Sequence, residues 1–105
     1  MSSSSLTCQT AIQRLQAIEA DILRLGVRRL ALFGSVLRDE ARGDSDVDLL
    51  VEFVPAKKTF NHFMTLVDLL EQTLEHPVEL VTTEALSPYI GPHILAEARD
   101  VVRAA

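Results

Sequence analysis

The chain has 105 residues, and its 15 acidic side chains outnumber its 10 basic ones to give a formal net charge of −5. We expect one small domain, because this length leaves too little chain for a second independently folded core. The negative charge argues against a general nucleic-acid-binding protein, since it repels phosphate backbones on average. A small nucleotide that carries its own magnesium is compatible with this charge.

Features of the whole sequence predict a soluble, cytoplasmic protein. Cys8 is the single cysteine, so neither a disulfide framework nor a cysteine-based zinc site is expected. No secretory signal pattern opens the chain, and no apolar run approaches the roughly 20 residues that cross a bilayer.

The first predicted elements are a helix and a strand. Residues 1–5 are rich in serine and predict a flexible tail, with Ser5 or Thr7 as the candidate helix N-cap. Apolar residues then recur every three or four positions and predict one helix that ends at Gly26. These residues are Ile12, Leu15, Ile18, Ile22 and Leu25. Residues 27–33 predict a buried strand that ends at Gly34.

The rest of the chain continues to alternate between helices and strands. Residues 36–41 predict a short helix, residues 42–45 a turn, and residues 46–53 a second strand. Apolar spacing over residues 60–74 predicts a middle helix, and residues 78–81 predict a third strand. Ser87-Pro88 is a helix-start signal for a last helical region through residue 102, which Gly91-Pro92 should kink or restart. The order α-β-α-β-α-β-α predicts a small single-sheet α/β sandwich.

Asp46 and Asp48 are the strongest candidates for metal ligands. They lie two residues apart on a predicted strand, so both project from one face with Cα atoms roughly 6.5–7 Å apart. Two such carboxylates can share a divalent cation. Mg²⁺ prefers oxygen ligands and usually takes its remaining ones from water and substrate phosphates. A polyphosphate is therefore the expected co-ligand.

Residues near the first two strand ends could complete a nucleotide site. Gly34 would let a phosphate approach the backbone, and exposed N–H groups and the Ser35 hydroxyl could bind it. Arg38, one turn later, could reach the same phosphates. Glu79 on the third strand is the candidate third carboxylate, and three acids would complete a two-metal site.

Simpler explanations and rival motifs compete with this hypothesis. Taken singly, the glycine could only end a strand, the serine could only cap a helix, and the acids could be solvated. An EF-hand calcium loop is excluded, because Leu49 occupies its glycine position and Pro55 its closing glutamate position. P-loop, dinucleotide-binding and hydrolase-elbow motifs are absent from the sequence. The ordered combination of strand, Gly-Ser, helix and D-x-D strand favours the nucleotide site.

The stretch LALFGSVLRDEARGDSDVDLLVEF resembles the minimal nucleotidyltransferases of the DNA polymerase β superfamily, and so does VELVTTEALSPYIGPHILAEA. The resemblance covers nearly everything after Val27. It implies the polymerase-β-type fold, with Gly34 and Ser35 holding nucleotide phosphates. It also implies that Asp46 and Asp48 bind magnesium and that a third acid, here Glu79, completes the set.

The resemblance also implies a function and a partner. Family members of this size are commonly encoded beside a small helical HEPN-type toxin and act as the antitoxin that transfers AMP to it. The expected reaction moves AMP from ATP, with two Mg²⁺ ions, to a hydroxyl of the partner, and we expect that hydroxyl to belong to a tyrosine.

Two residues depart from the family pattern. Asp39 stands where the family generally has glycine, and Glu79 stands where it more often has aspartate. These departures leave open a binding-only antitoxin with a weakened or inactive site. Modification of a small molecule such as an aminoglycoside is a third possibility, against which the absence of an extra domain argues.

Overall fold

The computed structural model describes residues 6–42 and 45–104. Its regular elements follow the order α1-α2-β1-α3-β2-α4-β3-α5-β4. The helices are α1 (Cys8–Ala17), α2 (Glu19–Arg24), α3 (Gly34–Leu37), α4 (Phe60–Leu74) and α5 (Gly91–Glu97). The strands are β1 (Val27–Phe33), β2 (Val47–Phe53), β3 (Val78–Thr82) and β4 (Arg99–Arg103).

The four strands form one mixed sheet in the order β3-β2-β1-β4. β1 runs antiparallel to both β2 and β4, whereas β2 and β3 are parallel. Parallel neighbours need a crossover connection, and α4 provides it between β2 and β3. The register pairs Phe33 with Asp48 and Asp48 with Glu79. One row across three strands therefore holds two acidic side chains next to the end of β1.

Apolar side chains cover both faces of the sheet. Val47, Leu49 and Val51 are fully buried in the main core, where they lie with the apolar stripes of α1 and α4. Alternation along β2 sends Leu50 to the other face, where it packs with Ala31 and Phe33 in a second, smaller cluster. Ile94 and Ala98, in and just after α5, pack against that second cluster. This packing brings the end of α5 close to the end of β1.

The α/β class with a single sheet is confirmed, β1 has the predicted bounds, and α4 covers the apolar stripe that was predicted to end before Pro77. The short helix predicted over residues 36–41 instead begins at Gly34 and ends at Leu37. Thr7 is the N-cap of α1, and its hydroxyl accepts a hydrogen bond from the Thr10 N–H at 3.1 Å. The other candidate cap, Ser5, lies outside the described residues, as does the predicted tail. In the turn predicted over residues 42–45, the Arg42 N–H donates to Ser45 Oγ at 2.8 Å.

The prediction of one continuous first helix was wrong. The backbone leaves the helical region at Ile18, with φ −112° and ψ 24°, and this break separates α1 from α2. Leu15 and Ile22, on either side of the break, are both fully buried. The apolar spacing therefore continues across the break and does not reveal it.

The prediction that the last helix extends through residue 102 was also wrong. α5 begins at Gly91-Pro92 and ends at Glu97, and the chain then forms β4 at the edge of the sheet beside β1. A register shift in that pairing allows both Val101 and Val102 to be buried. Two consecutive buried residues do not show the alternation of a regular strand, so the sequence did not indicate one. Among residues 6–42 and 45–104, no helix combines the length and apolar character needed to cross a membrane.

Candidate active site

Three carboxylates lie at one end of the parallel pair of strands, and we call them the acidic cluster (Asp46, Asp48 and Glu79). Asp48 and Glu79 are direct partners in the β2-β3 register, so their side chains project side by side from the same face. Asp46 immediately precedes β2 and is exposed, as is Glu79, whereas Asp48 is half-buried. The sheet register therefore brings two of the predicted site residues together, with the third two residues away.

The negative charges of this cluster act on one another. Burial raises the pKa of the Asp48 carboxyl above its ordinary value, and repulsion by Glu79 and Asp46 raises it further. Arg38 acts in the opposite direction and lowers the pKa of Asp48. A bound cation would offset the repulsion that the folded chain leaves between these carboxylates.

The acidic cluster is not a closed metal cage. Within the described ranges, 6–42 and 45–104, no three aspartate, glutamate, histidine or cysteine side chains are placed so that they could hold a metal ion. Mg²⁺ does not require such a cage, because it commonly binds through one or two carboxylates together with substrate phosphates and water. The neighbouring oxygens of Asp48 and Glu79 fit that mode of binding.

Gly34 contacts the acidic cluster directly. Its φ of +81° lies in the left-handed region that favours glycine. A Cβ atom at this position would lie 2.1 Å from Asp48 Oδ2 and 3.0 Å from Asp48 Cβ. Glycine therefore allows the Gly34 turn, which we define as Gly34 and Ser35, to lie against the Asp48 carboxylate. Ser35 follows in the first turn of α3 and is half-buried.

Asp39 ends α3 and has a structural role. The Asp39 N–H donates to the Val36 carbonyl at 3.1 Å, and the Glu40 N–H donates to the Ser35 carbonyl at 2.8 Å. This pair of bonds is a Schellman motif, in which the residue at the position of Asp39 adopts a positive φ and is usually glycine. Asp39 has φ +57°, and its carboxylate accepts the Cys8 N–H at 2.8 Å, at the start of α1. Aspartate in place of glycine therefore adds a hydrogen bond between the end of α3 and the start of α1.

Glu97, the last residue of α5, joins the two groups that were predicted to bind phosphate. Its Oε1 accepts the Gly34 N–H at 3.2 Å, and its Oε2 accepts a hydrogen bond from Arg38 Nη1. Hydrogen bonding to Arg38, helped by the Gly34 N–H, lowers the pKa of the Glu97 carboxyl. Glu40 Oε1 accepts from Arg38 Nε at 2.9 Å. Glu97 was not predicted as a site residue, because it lies 63 residues from Gly34 and the resemblance of its stretch to the family assigned it no role.

Most of the chain is similar in sequence to known nucleotidyltransferases. The family model described as nucleotidyltransferase domain matches residues 15–101. The protein adenylyltransferase MntA of Thermococcus cleftensis is 40% identical over 74 residues, which cover 70% of this chain and 74% of that protein.

Among solved structures, one is similar to this chain in both sequence and fold, and another is similar in fold alone. A structure described as a minimal nucleotidyltransferase superposes with a TM-score of 0.79 at 36% identity, over 90% of this chain and 95% of that one. A tri-AMPylated Shewanella oneidensis HEPN toxin in complex with MNT antitoxin gives a TM-score of 0.53 at 19% identity, over 85% of this chain and 72% of that one. The second similarity concerns the fold alone.

The contact between Gly34 and Asp48 predicts the effect of Gly34→Ala. We expect the free energy of unfolding to fall by at least about 1–2 kcal/mol, because alanine is strained at positive φ and its Cβ would collide with the carboxylate. Urea unfolding measures the loss. In the Asp48→Ala background the colliding carboxylate is gone, so the same substitution should cost less. An equal loss in both backgrounds would contradict the contact.

The raised pKa of Asp48 predicts a pH-dependent effect of Asp48→Asn in metal-free buffer with EDTA. The folded protein disfavours the ionised carboxyl, so the contribution of Asp48 to the free energy of unfolding should fall as pH rises through its titration. Asp48→Asn should therefore be more stable than wild type at about pH 7 but not at about pH 3, below the ordinary pKa of 3.8. Urea unfolding at both pH values tests this, with Asp68→Asn on α4 as the control. An advantage of the same size at both pH values would contradict it.

Proposed function

The chain belongs to the nucleotidyltransferase domain family, and from this we propose that it transfers AMP from ATP to a tyrosine hydroxyl of a HEPN-type toxin, and thereby acts as the antitoxin. The observation that carries the proposal is the contact of the Gly34 turn with the Asp48 carboxylate, beside Glu79. Groups that suit a triphosphate and groups that suit its magnesium ions meet there.

The phosphate side of the site is formed by Gly34, Ser35 and Arg38. The missing side chain of Gly34 lets the Asp48 carboxylate lie against the turn, and the half-buried Ser35 follows Gly34 with a hydroxyl that can bind phosphate. Arg38 uses Nε and Nη1 to contact Glu40 and Glu97, so its Nη2 donors are left for a phosphate. A guanidinium binds phosphate oxygens through paired, charge-assisted hydrogen bonds. These residues would hold the triphosphate in one orientation relative to the acidic cluster.

The metal side of the site is formed by Asp46, Asp48 and Glu79, which would hold two Mg²⁺ ions together with the phosphates. Their oxygens have the chemistry that Mg²⁺ prefers. Burial raises the pKa of Asp48, repulsion by Glu79 and Asp46 raises it further, and a bound cation would relieve that repulsion. Bound Mg²⁺ would supply positive charge that favours ionisation of the attacking hydroxyl and stabilises the leaving pyrophosphate. In the transfer, a bond would form between the hydroxyl oxygen and the α-phosphorus, the hydroxyl proton would pass to solvent, and the bond from the α-phosphorus to pyrophosphate would break.

The proposal of a protein acceptor rests on relatives. The Thermococcus cleftensis relative is named a protein adenylyltransferase, and its matched segment includes most of this chain. The Shewanella oneidensis complex joins an MNT antitoxin of the same fold to a HEPN toxin that carries AMP groups. Both support a partner protein, rather than a small molecule such as an aminoglycoside, as the acceptor.

A binding-only antitoxin with a weakened or inactive site is the second candidate. Glu79 favours it, because its side chain is one methylene longer than the aspartate that is more common in the family. Asp39 does not favour it, because its carboxylate is bonded to the start of α1. The two candidates differ in whether the partner gains mass.

We expect the purified protein, mixed with a HEPN-type partner toxin, ATP and Mg²⁺, to add AMP to that partner. Intact-mass spectrometry of the partner measures the gain, and tandem spectrometry identifies the modified residue. The gain should disappear with Asp46→Ala/Asp48→Ala, because the metal ligands are lost, and should persist with Asp21→Ala, a carboxylate of an exposed ion pair on α2.

Two outcomes would contradict the proposal in different ways. An unmodified partner that still forms a complex with the wild-type protein and with the double variant would favour the binding-only antitoxin. Modification at a residue other than tyrosine would leave the transfer intact and contradict the proposed acceptor.

A further inference from the structure

One carboxylate connects the phosphate side of the site to the C-terminal part of the chain. Glu97 accepts the Gly34 N–H with Oε1 and binds Arg38 Nη1 with Oε2, so each of its oxygens has a separate donor. No other side chain of the described residues bonds to both the Gly34 turn and Arg38. The geometry of Arg38 relative to Gly34 thus depends on this residue.

The position of Glu97 is fixed by packing. α5 ends at Glu97, and Ile94 and Ala98 on either side of it pack against the buried cluster of Ala31, Phe33 and Leu50. The chain then enters β4, which pairs with β1. The backbone before and after Glu97 is therefore fixed by packing and by strand pairing, and the Glu97 side chain is only 30% exposed.

Arg38, in contrast, would have little to hold it without its two carboxylate partners. Its side chain is 47% exposed, and it lies at the C-cap of a helix of only four residues. A free arginine has large rotamer entropy, part of which is lost whenever it binds a ligand. Contacts with Glu97 and Glu40 restrict that freedom before any ligand arrives, which reduces the entropy that binding must remove.

We propose that Glu97 is a positioning residue, whose carboxylate ties the Arg38 guanidinium to the Gly34 backbone and so holds Arg38 ready to bind the nucleotide phosphates. This role rests on the proposed function, because Arg38 has a triphosphate to bind only if the chain takes a nucleotide.

The opposite role for Glu97 makes the opposite prediction. A carboxylate next to a phosphate site could simply compete for Arg38 and repel the incoming triphosphate. Removing its charge would then tighten nucleotide binding. A positioning residue instead weakens binding when it is lost, so the sign of the change distinguishes the two roles.

The test is the affinity for Mg²⁺ with the non-hydrolysable analogue AMP-PNP, measured by isothermal titration calorimetry on the full chain. Glu97→Gln keeps the shape but removes the charge, and we expect it to weaken binding by about fivefold or more, the scale of couplings between contacting groups. Glu97→Asp keeps the charge but shortens the arm, and it should weaken binding as well. Glu84→Gln removes an exposed charge that pairs with Lys58, and it should change the affinity less than about twofold.

A double-variant cycle shows whether Glu97 acts through Arg38. In the Arg38→Ala background, Glu97→Gln should change the affinity by less than about twofold, because the group it positions is gone. Urea unfolding establishes that each variant is folded, and if Glu97→Gln is not, Glu97→Asp takes its place in the cycle. Unchanged or tighter binding by the Glu97 variants would overturn the proposal, and so would an undiminished loss in the Arg38→Ala background.

The failure of this proposal and that of the proposed function are distinguishable. A wild-type protein that binds Mg²⁺ and AMP-PNP but adds no AMP to its partner would contradict the proposed function alone. A protein that modifies its partner with the same nucleotide affinity in wild type and Glu97→Gln would contradict the positioning role alone.

Discussion

The contact of the Gly34 backbone with the Asp48 carboxylate is the constraint on which the site depends. The space between them cannot contain a Cβ atom, because that atom would lie 2.1 Å from Asp48 Oδ2. The contact follows from the sheet, since Phe33 at the end of β1 is the register partner of Asp48 on β2. A turn that suits phosphate is therefore held against a carboxylate that suits magnesium by the pairing of two buried strands.

Among the described residues, the carboxylates around this contact outnumber the one basic side chain, Arg38, that partly compensates for their charge. Asp48 has a raised pKa because it is partly buried and lies near Glu79 and Asp46, while Arg38 partly compensates for them. Arg38 is itself bonded to Glu40 and Glu97. A site with this excess of carboxylates favours a ligand that brings cations with it, and a magnesium-bound nucleotide is such a ligand.

Local sequence patterns predicted the parts of the fold whose signals are regular. β1 and α4 have clear apolar patterns and lie where expected, and the D-x-D pair lies at the start of β2, with Asp46 just before the strand. β4 was missed because the register shift beside it buries consecutive valines, Val101 and Val102, instead of alternate ones. The break at Ile18 was missed because the buried stripe continues through it.

The candidate site was predictable to the extent that it lies in contiguous motifs. Gly34, Ser35, Arg38 and the acidic cluster could all be named from the sequence, and the β2-β3 register then brought Glu79 beside Asp48. Two features of the site could be recognised only in the folded structure. The contact of Glu97 with Gly34 joins residues 63 positions apart, and the positive φ of Asp39 is a property of the Schellman motif that ends α3. The first leaves no local pattern because it joins distant segments, and the second lacks its usual local signal because aspartate replaces the glycine that commonly occupies this position.

We propose that the Gly34 turn and the acidic cluster form one site for a magnesium-bound nucleotide. The most direct measurement is paramagnetic broadening of backbone amide NMR signals by Mn²⁺, a magnetic substitute for Mg²⁺, in the presence of AMP-PNP. Broadening should be strongest at residues 34–35, 46–48 and 79. Excess Mg²⁺ should reverse it, and Asp46→Ala/Asp48→Ala should abolish it. Broadening centred elsewhere, or unchanged in that double variant, would contradict the claim.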